Sequence, residues 1–251
     1  MVTLPRFYAP DLDPAQKSVV LPEDESHHLV RVLRLSGGDK VIVFDGRGAE
    51  FLARVERADR HAASVALLEP IQSTPDRRVP VVLVQGVLKS DKMELVVRDA
   101  TMAGVTRVSP VVTERSMVRV SALARAHAHE RWSRVAVSSA KQCGRSRLPD
   151  IDLAVPFDDW LQTRAEGLRL LLVEPSSMDR PVERLRVVLE GARPTSVTCI
   201  VGPEGGWSDR ELEAAIQGGC RLVTLGSMTL RADAAGLVAV SLVSFALEDD
   251  V

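Results

Sequence analysis

Two glycine-marked turns in the last third of this 251-residue chain hold residue types suited to a ligand site. In the first, Ile200-Val201-Gly202-Pro203-Glu204-Gly205-Gly206-Trp207-Ser208-Asp209, an apolar run stops at a loop carrying three glycines. Ser208 and Glu211 follow with the Ser-x-x-Glu spacing of a capping box, in which hydroxyl and carboxylate each satisfy a backbone N–H left over at a helix start. The loop therefore lies between the carboxyl end of a strand and the amino end of a helix. Open α/β sheets bind ligands at that edge, and glycine lets backbone amides approach a ligand with no Cβ in the way. A tight strand-to-helix connection without a ligand is the alternative. A second turn, Leu225-Gly226 in "LVTLGSMTLRADAAG", follows one unit later, and two such loops at neighbouring strands favour a binding cleft. Neither turn carries GxxxxGK[ST], and no GxGxxG opens the first strand-helix unit, which argues against ATP, GTP and NAD.

The elements that must position these turns follow from periodicity. "VPVVLVQGVL" reads as a buried strand, "DKMELVVRDATMAG" as a helix and "VTRVSPVVT" as a second strand. An Arg-rich helix is expected from Ala122 to Gln142, ended by Gly144. Further strands are expected at "LRLLLVEP", "SVTCIVG" and "RLVTLG", with helices at "DRELEAAIQGG" and "ADAAGLVAVSLVSFAL". Strands alternating with helices imply an α/β domain with a mostly parallel sheet. Before it, "KVIVFDG", "AEFLARVE" and "SVALLEP" are short strand-like runs punctuated by glycine turns, the pattern of a small β-barrel. "SHHLVRVLRL" predicts a short helix with His28, Arg31 and Arg34 on one side and Leu29, Val32 and Leu33 available to face inward. The proline-bearing stretch "EPIQSTPDRRVP" has linker composition, which puts a boundary near Asp76: one domain over 1–75, the other over 76–251.

The composition narrows the partners. No run reaches the roughly 20 apolar residues of a membrane span, and "MVTLPRFYAP" lacks the features of a signal peptide, so a cytoplasmic location is expected. Cys143, Cys199 and Cys220 are widely spaced, without a CxxC pair, and read as reduced thiols packed as small hydrophobes. His27 and His28 are too few for a metal site, and no metal is expected. Net charge is −2, but residues 76–150 hold 14 Lys and Arg against 7 Asp and Glu, while residues 151–251 hold 9 against 16. A local basic surface gathers polyanions by displacing counterions, although a solvated helix face balanced by the acidic third is the plainer reading.

"HHLVRVLRLSGGD", "RSMVR", "RWSRVAVSSAKQCGRSRLPDI", "IVGPEGGWSDRELE" and "LGSMTLRADAAGLVA", in this order along the chain, resemble the RsmE family of SPOUT methyltransferases over nearly the whole chain. The resemblance implies an α/β SPOUT domain with a carboxy-terminal trefoil knot, preceded by a small PUA-like RNA-binding β-barrel. It implies an S-adenosylmethionine-dependent enzyme that methylates N3 of a uridine in 16S ribosomal RNA of the small subunit and acts as a homodimer. By the match, Gly202, Gly205 and Gly206 lie in one cofactor loop and Leu225, Gly226, Leu230 and Arg231 in the next. The chain departs from the family pattern at Ser227-Met228-Thr229, at Asp233-Ala234 and at Met102. A ribose 2′-O methyltransferase on the same fold and a non-catalytic RNA-binding assembly factor are the competing functions.

For this chemistry Arg231 is the candidate to stabilise a developing uracil anion, and Asp233 or Glu204 the candidate base. The alternatives are a cap or a salt bridge to Glu204 for Arg231, and a helix-dipole carboxylate for Asp233. The candidate RNA surface is Arg6, His28, Arg31 and Arg34 in the first domain with Lys89, Lys92, Arg115, Arg134, Lys141, Gln142 and Arg145 in the second. Phosphate contacts from such residues position RNA while the target base leaves its stack. The apolar carboxy-terminal helix is either core or a subunit interface.

Overall fold

The computed structural model describes residues 4–72, 79–163, 166–175 and 181–247. Its contacts group into two units: Met1–Asp76 with Val137–Leu148, and Arg77–Ala136 with Pro149–Val251. The boundary expected near Asp76 lies outside the described residues. Residues 137–148, assigned from sequence to the second domain, belong to the first unit. Lys141, Gln142 and Arg145 move with them.

In the first unit, strands β1 (Arg6–Tyr8), β2 (Ser18–Val20), β3 (Lys40–Phe44), β4 (Glu50–Arg57) and β5 (Ser64–Pro70) form a sheet in the order β1-β3-β4-β5-β2. Only the β1/β3 pair is parallel among the described residues. Alternation buries Val41, Val43, Ala53, Val55 and Val65 with Phe7 and Leu29 in one core. Helix α1 (Glu23–His27), whose acidic first turn suits the helix dipole, continues into a π-helical turn at His28–Val32. There Leu33 N–H reaches the carbonyl of His28 at 3.0 Å. This wider turn shifts the apolar face by a residue. Leu29 alone of the three expected residues is buried; Val32 (59% exposed) and Leu33 face outward, and Arg34 leaves the helix with φ 56°.

The second unit contains β6 (Val81–Gly86), α2 (Lys92–Met102), β7 (Arg107–Val112), α3 (Val120–Arg125), α4 (Ala128–Cys143), β8 (Asp150–Ile151), β9 (Val155–Pro156), α5 (Phe157–Leu161), β10 (Leu168–Leu172), β11 (Glu183–Arg184), α6 (Leu185–Leu189), β12 (Val197–Val201), α7 (Asp209–Gln217), β13 (Arg221–Thr224) and α8 (Ala232–Leu247). The single helix expected over 122–142 is two, interrupted at His127 with φ 48°. The second of them, α4, passes from this unit into the first at Val137.

The sheet runs β11-β13-β10-β12-β6-β7-β8, with β9 also on β7, and every pair is parallel among the described residues. A parallel sheet must be covered on both faces. Leu83, Leu170 and Cys199 point to the face covered by α2, α8 and the start of α4; their neighbours Val84, Leu171 and Ile200 point to the face covered by α5 and α7. Trp132, Trp160 and Trp207 all pack into these cores. Cys199 and Cys220 are buried as expected, and burial pushes the Cys199 thiol up to about 12, while Cys143 is exposed.

The carboxy-terminal part of α4 is held in the first unit by a buried ion pair. Lys141 Nζ lies 2.8 Å from both carboxylate oxygens of Glu25 and 5.4 Å from the centre of the Phe7 ring. Burial raises the Glu25 carboxyl above its ordinary 4.5, and Lys141 draws back only part of the rise. An acid with a raised folded value binds its proton more tightly in the folded state. Glu25 therefore contributes most below pH 4.5 and loses that contribution as pH climbs through its folded value. Lys141→Met leaves this carboxylate buried without its cation, so the variant should lose about 3 kcal/mol at neutral pH. The loss should shrink below pH 4.5, where Glu25 is neutral in both states; urea unfolding across the pH range measures it.

Candidate functional site

The carboxyl ends of β10, β12 and β13, neighbours in the sheet, open into a cleft of about 580 Å³. Leu172–Pro175 line it from β10, Val201–Trp207 from β12, and Thr224, Leu225 and Met228–Asp233 from the segment after β13. Both sequence-marked turns thus meet in one cavity. The β10 segment, which ends "LLLVEP", was missed; its signal was an apolar strand stopping at Glu-Pro, without a glycine to mark it.

The β12 loop is bare because other groups occupy the space a side chain would need. A Cβ on Gly202 would stand 3.1 Å from the Trp207 ring, and one on Gly205 would stand 2.9 Å from Arg115 Cβ. Gly206 turns the chain with φ 68°, its N–H donating to the Pro203 carbonyl at 2.9 Å. Trp207 pins the loop: its Nε1–H donates to the Leu172 carbonyl at 3.0 Å, and its ring lies 4.7 Å from that of Phe157. The capping box is complete, with Ser208 accepting from Glu211 N–H and the Glu211 carboxylate accepting from Ser208 N–H.

Two residues at the end of β6, neither singled out from the sequence, hold the loop from beneath. Gln85 is fully buried and its Nε2 donates to the carbonyls of Gly86, at 3.1 Å, and Gly202, at 3.3 Å. Gly86 lies so close under the loop that a Cβ there would be 2.6 Å from the Pro203 nitrogen. Gly226 is not among the residues lining the cleft; its carbonyl accepts from the Thr224 hydroxyl at 2.9 Å.

Four of the charged side chains that line the cleft form two ion pairs. Lys92 Nζ meets Glu204 at 2.9 Å. Burial would raise the Glu204 carboxyl, but hydrogen bonds from Lys92 and from backbone N–H groups outweigh it and hold the group below the usual carboxylate range. Arg231 is 75% exposed and makes a two-pronged pair with Asp233, at 3.0 and 2.7 Å, rather than the bridge to Glu204 considered above. The Arg231 hydrogen bond lowers Asp233 in turn. Both candidate bases are therefore carboxylates at neutral pH, each held by a cation. Met228, where the chain departs from the family pattern, lines the cleft and is 77% exposed.

The expected RNA residues divide. In the first unit Arg31, Arg34 and Gln142 are exposed and His28 is half-buried, its imidazole lowered by burial and by Lys141. Arg6 instead pairs with Glu50, donates to the Arg145 carbonyl at 3.0 Å and packs over Phe44; Lys141 is committed to Glu25. Neither offers a free charge, because a desolvated cation needs its counter-ion. In the second unit Lys89 and Arg134 are exposed, Lys92 serves Glu204, and Arg115 donates to the Gly205 carbonyl at 3.1 Å. No group of three or more His, Cys, Asp or Glu among the described residues could hold a metal. No helix among them is long and apolar enough to cross a membrane.

A chain with a bare cleft at the carboxyl ends of parallel strands in one unit and a small β-sheet in the other matches the RNA methyltransferases that carry a PUA domain. The RNA methyltransferase domain family matches residues 75–244, and the RNA methyltransferase PUA domain family matches residues 21–68. The ribosomal RNA small subunit methyltransferase E of Synechocystis sp. is 31% identical over 93% of this chain and 75% of its own length. The enzyme of that name from Neisseria gonorrhoeae, solved bound to S-adenosyl methionine, is similar with a TM-score of 0.85 at 27% identity, over 97% of this chain and 98% of its own. A Legionella pneumophila structure in complex with the bound cofactor SAM is similar with a TM-score of 0.88 at 27% identity, over 98% of both chains. The chain belongs to the ribosomal RNA small subunit methyltransferase E family.

Because Gly86 leaves no room for a methyl group beneath backbone atoms, Gly86→Ala should destabilise the protein by about 1–3 kcal/mol, the range for overpacking a close-fitted site. Guanidinium unfolding beside the wild type measures the loss.

Proposed function

We propose that this chain methylates N3 of a uridine in 16S ribosomal RNA of the small subunit, using S-adenosylmethionine. The observation that carries the reading is the cleft formed by three adjacent strand ends, one of them continuing into a loop whose three glycines leave main-chain groups bare, in a chain whose relatives bind that cofactor. The cavity volume lies within the range for small-molecule sites, and the bare backbone of Gly202, Gly205 and Gly206 suits a ligand gripped by main-chain groups. Leu225, Leu230 and Arg231 complete the cofactor-facing set, with Gly226 as part of the turn that presents them. The threading of a trefoil knot is supported by the chain's return from β13, next to β10, to set α8 against β12 and β6. The five-stranded sheet of the first unit is read as the PUA-like barrel.

S-adenosylmethionine supplies an electrophilic methyl group on a sulfonium. Alignment can provide about 7–11 kcal/mol of the barrier reduction in such a reaction, so the walls of the cleft matter more than a strong base. Arg231, which lines the cleft, is assigned to stabilise negative charge on the uracil. Its partner Asp233 is ionised and can take a proton once Arg231 turns toward the base; Glu204, held by Lys92, is the second acceptor. Arg31, Arg34, Lys89 and Arg134 are the exposed cations for phosphate contacts.

The outward side of α8 exposes Leu237, Leu242 and Phe245, the last 82% exposed, while Ala235, Ala239, Val240 and Val243 face inward. This apolar face supports a homodimer, and the RNA substrate supports a cytoplasmic setting.

Transfer of labelled methyl to unmodified small ribosomal subunits, followed by nucleoside analysis, tests the function. Label in 3-methyluridine is expected; label in a 2′-O-methylated nucleoside would favour the ribose chemistry, and no transfer with RNA binding intact would favour an assembly factor. Arg231→Ala should lower kcat about 100-fold, in line with loss of one donor to developing charge. Phe245→Asp should shift sedimentation from dimer to monomer, because it places a charge inside an apolar interface.

A further inference from the structure

We infer that Glu211 is a positioning residue that sets the outer wall of the cofactor cleft, with Arg115 transmitting its hold; this rests on the reading of the cleft as an S-adenosylmethionine site. Glu211 is 1% exposed, and its two oxygens serve different segments. Oε2 accepts the Ser208 N–H at 2.9 Å, closing the capping box. Oε1 accepts the Glu114 N–H, also at 2.9 Å, just beyond β7. Helix capping requires only the first of these bonds. The second joins the ends of β12 and β7, strands separated in the sheet by β6, so one carboxylate ties two loops together across the end of a third strand.

The tie reaches the cleft through the next residue. The β7 segment is a closed turn in which Ser116 N–H donates to the Thr113 carbonyl and Thr113 N–H to the Ser116 hydroxyl, both at 3.1 Å. Arg115 projects from this turn against the glycine loop, donating to the Gly205 carbonyl at 3.1 Å. Its backbone and Cβ fill the space that a Cβ on Gly205 would occupy. Glu114 adds an outer tie, pairing with Arg210, which also reaches Asp158 at 2.9 Å. Arg115 and Gly205 both line the cleft, whereas Glu211 does not and acts only through them. Arg115 is thereby assigned to the cofactor side of the reaction rather than to RNA phosphates.

An ionised carboxylate can accept from both N–H groups at once, whereas the amide of glutamine turns an NH₂ donor toward one of them. Glu211→Gln should weaken S-adenosylmethionine binding about tenfold in calorimetry, as expected when a buried donor loses its acceptor. The KM for S-adenosylmethionine should rise while kcat stays within about twofold, the signature of lost binding shared by ground and transition states. Affinity for a small-subunit RNA fragment at fixed salt should be unchanged. Arg115→Ala should reproduce this pattern, and Arg115→Lys should restore part of the affinity by reaching the same carbonyl. The effects of Glu211→Gln and Arg115→Ala should be less than additive in the double variant. Should Glu211→Gln not fold, Arg115→Ala decides: weakened cofactor with intact RNA binding upholds the assignment. Unchanged cofactor affinity, or a loss confined to RNA affinity, overturns it. A wild-type protein that did not bind S-adenosylmethionine would overturn the reading of the cleft itself.

Discussion

Backbone lying directly on backbone at the end of β6 is the constraint from which the cleft follows. Gly202 and Pro203 rest on Gly86 with no space for a side chain between them, while Gln85 draws the Gly202 carbonyl down. With its base fixed there, the loop can be reached from both sides, by Trp207 hydrogen-bonded to the end of β10 and by Arg115 beyond β7. The glycines are a consequence of this crowding as much as of any ligand. They leave main-chain groups facing a cavity whose walls are otherwise held by long-range hydrogen bonds.

Charge in the second unit follows a similar economy. Lys92 with Glu204 and Arg231 with Asp233 put two cations and two anions at one opening with little net field. Each carboxylate is kept ionised by its partner, so either could take up a proton only as its ion pair rearranges. Arg231 is the more exposed of the two cations, and Lys92 stands at the start of α2.

What was legible in the sequence is what depends on neighbours along the chain. The Ser208–Glu211 capping box, the glycine loop at a strand end and the alternation of strand with helix are local patterns, and the structure has them. The roles of Arg6, Lys141, Lys92 and Arg115 were obscured because their partners Glu50, Glu25, Glu204 and Gly205 lie far away in sequence, so each cation looked like solvated surface. The helix break at His127 has no proline or glycine to announce it. The outward placement of Val32 and Leu33 follows from a π-helical turn that helical periodicity does not anticipate. Gln85 and Gly86 were passed over as the end of an ordinary buried strand.

Helix α4 has residues in both units, and its carboxy-terminal part with the following turn completes the first. That unit is therefore discontinuous in the chain: Glu25 must wait for Lys141, and Gly46, whose carbonyl accepts from Leu148 N–H at 2.9 Å, must wait for the same late segment. On the ribosome, where chains emerge amino end first, the earliest part to appear lacks a piece of its own structure until the first strands of the following unit have been made. The two units are thus linked in their order of completion, and the amino-terminal unit cannot be cut out at its linker without losing part of itself.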